Sequence, residues 1–259
     1  MDHITPWTAW MRSGGTPATT VNLRRYYIER LARAHPNLLM LTVDDLAEWS
    51  GGQGWSPNTR KSARSALRCF YGWAVHTGRL ETSPAHLLPA VRVPRGRPKP
   101  TPELAYRRAL RDADPRIRLA VRLAGQCGLR RGEVSRVNVG DVFEDLTGYS
   151  LRVVGKGGHV RDVPLEDDLA AELLALDGWA FPSPLGGHLT PHHLAKLIRA
   201  ALDGHHTHSL RHRAATRAYA GTRDLRAVQE LLGHSRPETT AGYVAVPDDS
   251  IRAAMRAAA

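Results

Sequence analysis

Cysteine is nearly absent. Only Cys69 and Cys127 occur in 259 residues, far apart, which argues against a disulfide framework and fits a reducing cytoplasm. No apolar run approaches the roughly 18 residues needed to cross a bilayer. The opening residues, Met1-Asp2-His3-Ile4-Thr5, carry neither a basic start nor an apolar stretch, so no secretory signal is expected. Internal repeats are missing, and low complexity is confined to the alanine-rich end, residues 253–259. Lysine is scarce too: four of the 36 basic residues, the rest being arginine. What is present is ordinary for a folded protein, with 42% hydrophobic and 24% charged residues in a chain long enough for two domains.

The charge is not ordinary. A formal net charge of +11 draws a chain towards polyanions, nucleic acid above all. Its distribution is uneven. Residues 1–100 hold 14 Lys and Arg against 6 Asp and Glu, whereas residues 101–259 hold 22 against 19. A small, strongly basic unit therefore precedes a larger, nearly balanced one. A general arginine-rich bias would also raise the charge, so nucleic-acid binding needs further support.

Hydrophobic spacing predicts a basic helical unit over residues 1–92. Val21, Tyr27, Ile28 and Leu31 recur at helical spacing over 21–31, and a short helix fits 43–49. A longer helix runs from 58 to about 77, with Ser56 as N-cap, Pro57 at the first position and Gly78 closing it. Its apolar face, Ala63, Ala66, Leu67, Phe70, Tyr71 and Ala74, leaves Arg60, Lys61, Arg64 and Arg68 elsewhere on the surface, and this helix is the candidate for entry into the major groove. Residues 93–100, Val-Pro-Arg-Gly-Arg-Pro-Lys-Pro, form a linker in which Arg95, Arg97 and Lys99 can follow a phosphate backbone. Over 101–259, helices fit 102–112, 115–126, 167–176, 191–202, 209–221, 224–232 and 238–244. Between them, alternating residues around Gly155-Lys156-Gly157-Gly158 predict a β-hairpin. The fold class is mainly α with a small antiparallel β-sheet.

Four stretches carry groups suited to phosphoryl transfer, which needs cations for the non-bridging oxygens, a proton acceptor for the nucleophile and a proton donor for the leaving oxygen. Cys127-Gly-Leu-Arg130-Arg131-Gly-Glu133 places an arginine at a corner between two helices, with a carboxylate three residues on. Lys156 sits in the glycine-rich turn, a titratable ammonium in a chain that otherwise writes cations as arginine. His208-Ser-Leu-Arg211-His212 puts a histidine at the edge of a helix and an arginine one turn later. Leu231-Leu-Gly-His234 is followed nine residues on by Tyr243. Each is commonplace alone. The cluster of His205, His206, His208 and His212 also invites a metal reading, but there is no HExxH pattern and neither cysteine lies near in sequence, so no metal is expected.

Taken together, Arg130, Lys156, His208, Arg211, His234 and Tyr243, separated by 26, 52, 3, 23 and 9 residues, closely resemble the tyrosine recombinase (phage integrase) family. The words GLRRGE, VVGKGGHVRDVPL, HSLRH, VQELLGH and TTAGY resemble it too. The basic N-terminal unit is similar to the family's SAM-like core-binding domain, and 101–259 to its α+β catalytic domain. The resemblance implies a DNA strand-exchange enzyme. Arg130 and Arg211 would neutralise the scissile phosphate, and His208 would act as general base towards the tyrosine or position it. Lys156 would protonate the departing 5′-oxygen, His234 would hydrogen-bond the phosphate, and Tyr243 would form a 3′-phosphotyrosyl link. Family pattern, not physics, selects Arg130 over Arg131, and Glu133 is expected to buttress Arg130.

The resemblance also implies no cofactor, double-stranded DNA attachment sites as substrate, a homotetramer on DNA and a place in the cytoplasm of a bacterial host. A recombination directionality factor is a possible partner; no membrane is involved. The segment 248–259, with Ile251, Ala254, Met255 and Ala258 on one face, resembles a tail that docks into a neighbouring subunit. No room is left for a separate arm-binding domain, which points to a short phage-type integrase. The alternatives are a Xer-like chromosome or plasmid dimer resolvase, a transposon-borne recombinase, a type IB topoisomerase, and a DNA-binding factor with an inactive site.

Overall fold

The structure, a computed structural model, describes residues 2–94, 96, 98–234, 239–240, 242–244 and 255–256, and of Lys156 the backbone alone. The chain divides into two compact units, Met1–Arg95 and Gly96–Ala259, each with its own core. The division falls inside the proline-rich segment 93–100.

The first unit holds four helices: α1 (Ile4–Ser13), α2 (Ala18–Ala34), α3 (Val43–Gly51) and α4 (Pro57–His76). Helix α4 starts as its sequence demands, the Ser56 hydroxyl accepting from the Thr59 amide with Pro57 at the first position. Its buried face packs on α2 and α1, with Phe70 edge-on to Trp7 (centroids 5.3 Å apart) and the Tyr71 hydroxyl donating to the Leu38 carbonyl at 2.7 Å. Helix α1 is absent from the sequence expectation. Trp7 and Met11, four residues apart, drive it by burying completely against α2 and α4, while Asp2 accepts from the Ile4 and Thr5 amides at its start.

The second unit is built on α6 (Pro115–Gly125), whose residues Leu119, Ala120, Val121, Leu123 and Ala124 are buried by neighbours on several sides. Around it pack α5 (Glu103–Asp112), α9 (Pro191–Ala201) and α10 (Thr207–Thr222). The short α7 (Arg131–Val134), then α8 (Asp167–Leu174) and α11 (Leu225–Leu232), complete the helical part. The sheet is a three-stranded antiparallel meander in the order β1 (Val142–Asp145), β2 (Gly148–Val154), β3 (Val160–Leu165). Strands β2 and β3 are the expected hairpin, with Leu151 opposite Val163 and Val153 opposite Arg161. Strand β1 is an addition. Its four residues show no clear apolar alternation, and it exists through pairing with β2.

Two further boundaries differ from expectation. Helix α10 begins at Thr207, two residues early, so His208 lies within its first turn. A helix was expected over 238–244; Thr239 and Thr240 are helical, whereas Gly242 and Tyr243 form a turn closed by the Tyr243 amide on the Thr240 carbonyl at 2.9 Å. The Tyr243 carbonyl meets the His212 ring. Glu238 and Ala241 lie outside the described residues, as does all of the expected tail except Met255 and Arg256.

The loop from α6 to α7 turns at Gly128, whose φ of +66° suits glycine. A Cβ there would also stand 2.6 Å from the Leu232 side chain of α11. Gly128→Ala is therefore expected to cost about 2–4 kcal/mol, combining left-handed strain with overpacking. Thermal denaturation measures it, and an unchanged midpoint would contradict this account of the corner.

Candidate active site

Beyond Gly128, the buried Leu129 aims the chain so that Arg130 becomes the N-cap residue of α7. Glu133, on the first turn, folds back on it. The carboxylate accepts the Arg130 backbone amide at 2.9 Å and the Arg130 Nη1 at 2.7 Å. The Arg130 Nη2 donates to the Gly233 carbonyl at 3.3 Å. Arg130 thus faces two adjoining clefts, of about 510 and 530 Å³, whereas Arg131 lines only the first. That separates two arginines which spacing alone leaves equivalent.

Arg211, on α10, is completely buried. Its Nη1 donates to the Gly128 carbonyl at 2.5 Å and its Nη2 to the Leu232 carbonyl at 2.6 Å, with the His234 Nε2 at 2.9 Å. The Nε is buried with no partner among the described residues, and Arg211 lines the first cleft. The N-terminus of α10 reaches the same cleft through His206, Thr207 and His208, and no side chain caps it. Free amides and the helix dipole both favour an anion there. This end of α10 is anchored to the segment preceding α5, since Thr101 donates its amide to the Ser209 carbonyl at 3.0 Å and shares a 2.7 Å hydroxyl bond with Ser209.

Tyr243 stands among these groups. His212 stacks on its ring at 4.4 Å with a 26° tilt, and the His212 Nδ1 lies 3.2 Å from the Tyr243 carbonyl. His208 meets the ring edge-on at 5.2 Å and His234 lies at 4.7 Å. The Arg211 guanidinium carbon is 5.6 Å from the ring centre. His234 is itself fixed, its Nδ1 paired with the Thr240 hydroxyl at 2.9 Å and its carbonyl accepting from Gln229. Five of the six residues singled out by the sequence are thus brought together. The sixth, Lys156, lies in the tight turn Lys156–Gly158 between β2 and β3, and the preceding Gly155 and the Gly157 that follows it both line the second cleft.

Two contributors were missed by sequence reasoning. His212 entered it only as a member of a histidine cluster. Among the described residues, no group of three His, Cys, Asp or Glu side chains is placed to hold a metal ion. Arg161, on β3, forks onto Glu133, with Nη1 3.2 Å from Oε1 and Nη2 2.8 Å from Oε2. The strand alternation carried the signal for it: Arg161 shares a face with Val163 and Leu165, both buried.

Of the residues expected to bind DNA, Lys61, Arg68 and Lys99 are exposed, the Arg68 side chain touching the His86 carbonyl at 3.4 Å. Arg64 turns inward, donating to the Leu88 carbonyl through Nε (3.2 Å) and Nη2 (2.7 Å). Arg60 is half-buried, its Nε enclosed. Arg95 and Arg97 lie outside the described residues.

Burial and charge set the protonation states. For Glu133, burial favours the neutral acid, but the hydrogen bonds and charges of Arg161 and Arg130 outweigh it and hold the carboxyl down at about 2. Burial, then Arg211, Arg130 and Arg161, push His234 down to about 4. Burial, then His212 and Arg211, lower His208, so it is neutral at pH 7. Burial and the neighbouring Arg130 also lower Arg211, which as a guanidinium stays charged. Two acid transitions follow. Below pH 6.5 the unfolded chain protonates His234 while the native state resists until about 4, so stability declines through that window, by about 3 kcal/mol in all. From 4.5 down to about 2, Glu133 contributes a second loss of similar size. Denaturant titrations from pH 8 to pH 3 are expected to show both slopes, with His234→Gln flattening the upper and Glu133→Gln the lower.

Residues 104–249 match the profile described as the phage integrase family. The tyrosine recombinase XerC of Mycobacterium tuberculosis (strain H37Ra) is 34% identical over 90% of this chain and 91% of its own length. XerC of Corynebacterium efficiens is 30% identical over 94% and 86%. Among solved structures, a lambda integrase dimer bound to a COC′ core site superposes with a TM-score of 0.75 at 20% identity, covering 93% of this chain and 75% of that one. The XerH recombinase bound to a palindromic difH substrate gives 0.68 at 20%, covering 92% and 77%. At such identities the structural likeness speaks to the fold, while the sequence matches speak to descent. The chain belongs to the phage integrase family and is a site-specific tyrosine recombinase.

Proposed function

We propose that Tyr243 is the nucleophile and that Arg130, Lys156, His208, Arg211 and His234 serve it. The observation that carries this reading is the convergence of Arg130, Arg211, His208 and the Tyr243 ring at the cleft into which α10 points, with His234 of the adjoining cleft against that ring and the Arg211 Nε buried and unmet among the described residues. A DNA phosphate drawn to that donor lies beside Arg130 and the α10 amides, which together can stabilise the charge of a five-coordinate phosphorus. The Tyr243 oxygen attacks the phosphorus, and neutral His208 takes or orients its proton. The bond to the 5′-oxygen breaks, Lys156 supplies the proton that oxygen needs, and the strand is left as a 3′-phosphotyrosine with a free 5′-hydroxyl. Attack by another 5′-hydroxyl reverses every step, so the phosphodiester is restored without ATP.

Lys61, Arg68, Lys99, Arg95 and Arg97 are the proposed phosphate contacts outside the site. Arg64 is better read as a brace for the 80–90 segment, and Arg60 as its half-buried neighbour. The acting form is a homotetramer on two duplexes in a bacterial cytoplasm, in line with a related structure described as a lambda integrase tetramer bound to a Holliday junction. The biological task is integration or excision of mobile DNA, with a directionality factor as a possible accessory. Dimer resolution is the second reading, favoured by the XerC relatives that span 86–91% of their own length. Restored monomeric plasmid or chromosome units on expression would select it, and recombination between two unlike attachment sites would select integration.

A nicked suicide duplex tests the chemistry. Tyr243→Phe is expected to lose covalent attachment altogether while binding DNA as the parent does, and any covalent product would overturn the assignment. In the same assay, Lys156→Ala is expected to slow cleavage by about 10²–10⁴-fold, and a substrate with a 5′-sulfur leaving group, which needs no proton, is expected to recover the rate.

A further inference from the structure

We propose that Arg161 is a positioning residue for strand cleavage, a side chain that locks the Arg130 corner, the Lys156 hairpin and the His234 segment into one register. The proposal rests on the Tyr243 chemistry above and adds to it a residue outside the six assigned there.

Arg161 uses all three of its nitrogen atoms inside the protein. Two fork onto the Glu133 carboxylate, and the Nε donates to the Leu231 carbonyl at 3.1 Å, in the last turn of α11. Its side chain is 12% exposed and that of Glu133 2%. The backbone closes around the pair. Gly233, two residues beyond Leu231, has φ +62°, and a Cβ on it would stand 2.7 Å from the Arg161 Cδ. The helix therefore ends in a residue that can both turn left-handed and let Arg161 pass. A Cβ on Gly155, just before Lys156, would lie 3.4 Å from the Glu133 Oε1 and 3.8 Å from the Arg130 Nη1. The turn is closed by the Gly155 amide on the His159 carbonyl at 2.7 Å, and β3 then leads directly to Arg161.

Three otherwise independent segments thus meet at one guanidinium. Glu133 holds Arg130 and is held by Arg161. The hairpin is tied to Glu133 two residues past its turn. Leu231, followed by Leu232 and His234 that bind Arg211, is tied to β3. Lysine cannot replace this arrangement, because an ammonium has no planar fork and cannot serve a carboxylate and a carbonyl in these directions together. Removing Arg161 also leaves both Glu133 oxygens to Arg130 and Arg211, whose Nη1 already lies 3.9 Å from Oε2. A carboxylate free to pair with the phosphate-binding cations competes with the phosphate itself.

The experiment compares single-turnover covalent attachment to a nicked suicide duplex, DNA affinity and thermal melting for the parent, Arg161→Met, Arg161→Lys, Arg161→Ala, Glu133→Gln and the Arg161→Met/Glu133→Gln pair. Expected are attachment rates lowered about 30- to 100-fold in both Met and Lys variants, affinity within about threefold because the phosphate contacts outside the site are kept, and a double variant no slower than its slower single. Arg161→Ala is expected to regain rate when methylguanidinium is added, a response that a loosened fold alone would not give. The proposal is overturned by parental rates in the Met variant, by a Lys variant that restores cleavage, by multiplying defects in the double variant, by losses that only track the unfolded fraction, or by Arg161→Ala unmoved by methylguanidinium. A parent that forms no covalent product would instead overturn the Tyr243 chemistry.

Discussion

A single buried carboxylate organises the catalytic unit. Glu133 receives Arg130 and Arg161 directly and has Arg211 within 4 Å. A carboxylate so enclosed is tolerable only when its charge is matched and its lone pairs filled. The surrounding guanidiniums, in turn, would repel one another without it. Loss of either kind of partner exposes the other to an uncompensated interior, so the Arg130 corner, β3 and the end of α11 are held in common. The two clefts beside Arg130 and the placement of the groups around Tyr243 follow from that shared constraint.

Electrostatics and packing divide the work within the second unit. α6 supplies an apolar centre with no chemistry of its own, and its buried surface fixes where the loop to α7 departs. The cations then gather at that departure point. Arg213, although charged, belongs to the packing side: it lies over the Tyr106 ring at 3.5 Å and pairs with Glu103, joining α10 to α5. Histidines near Tyr243 are kept neutral by burial and by the neighbouring cations, which leaves them able to accept protons or hydrogen bonds near neutral pH.

Much of this was legible in the sequence, for physical reasons that differ by element. Helix α4 could be read because its start depends on adjacent residues, Ser56 and Pro57, and its face on regular spacing. The hairpin could be read because glycines in its turn and alternation in its strands are local facts. Helix α1 and strand β1 could not, since one depends on burial of Trp7 and Met11 by distant helices and the other on a partner strand. The six chemical residues were legible only as a set, by resemblance, because no local property distinguishes Arg130 from Arg131 or Tyr243 from a core tyrosine. Arg64 misled for the opposite reason: on a helical wheel it looks solvent-facing, yet the chain around Leu88 folds back to meet it. Arg161 hid among many arginines, although its strand register already pointed it inward.

The ratio of charges in the Glu133 cluster has a further consequence. Three guanidiniums share one carboxylate, and one of them keeps a buried nitrogen without a partner among the described residues. Folding alone does not satisfy such an arrangement; it leaves a local conflict that natural sequences generally avoid. A phosphodiester brings the anionic oxygens that the cluster lacks. Under the proposed function the nucleic acid is therefore the missing counter-ion of this cluster as well as the substrate.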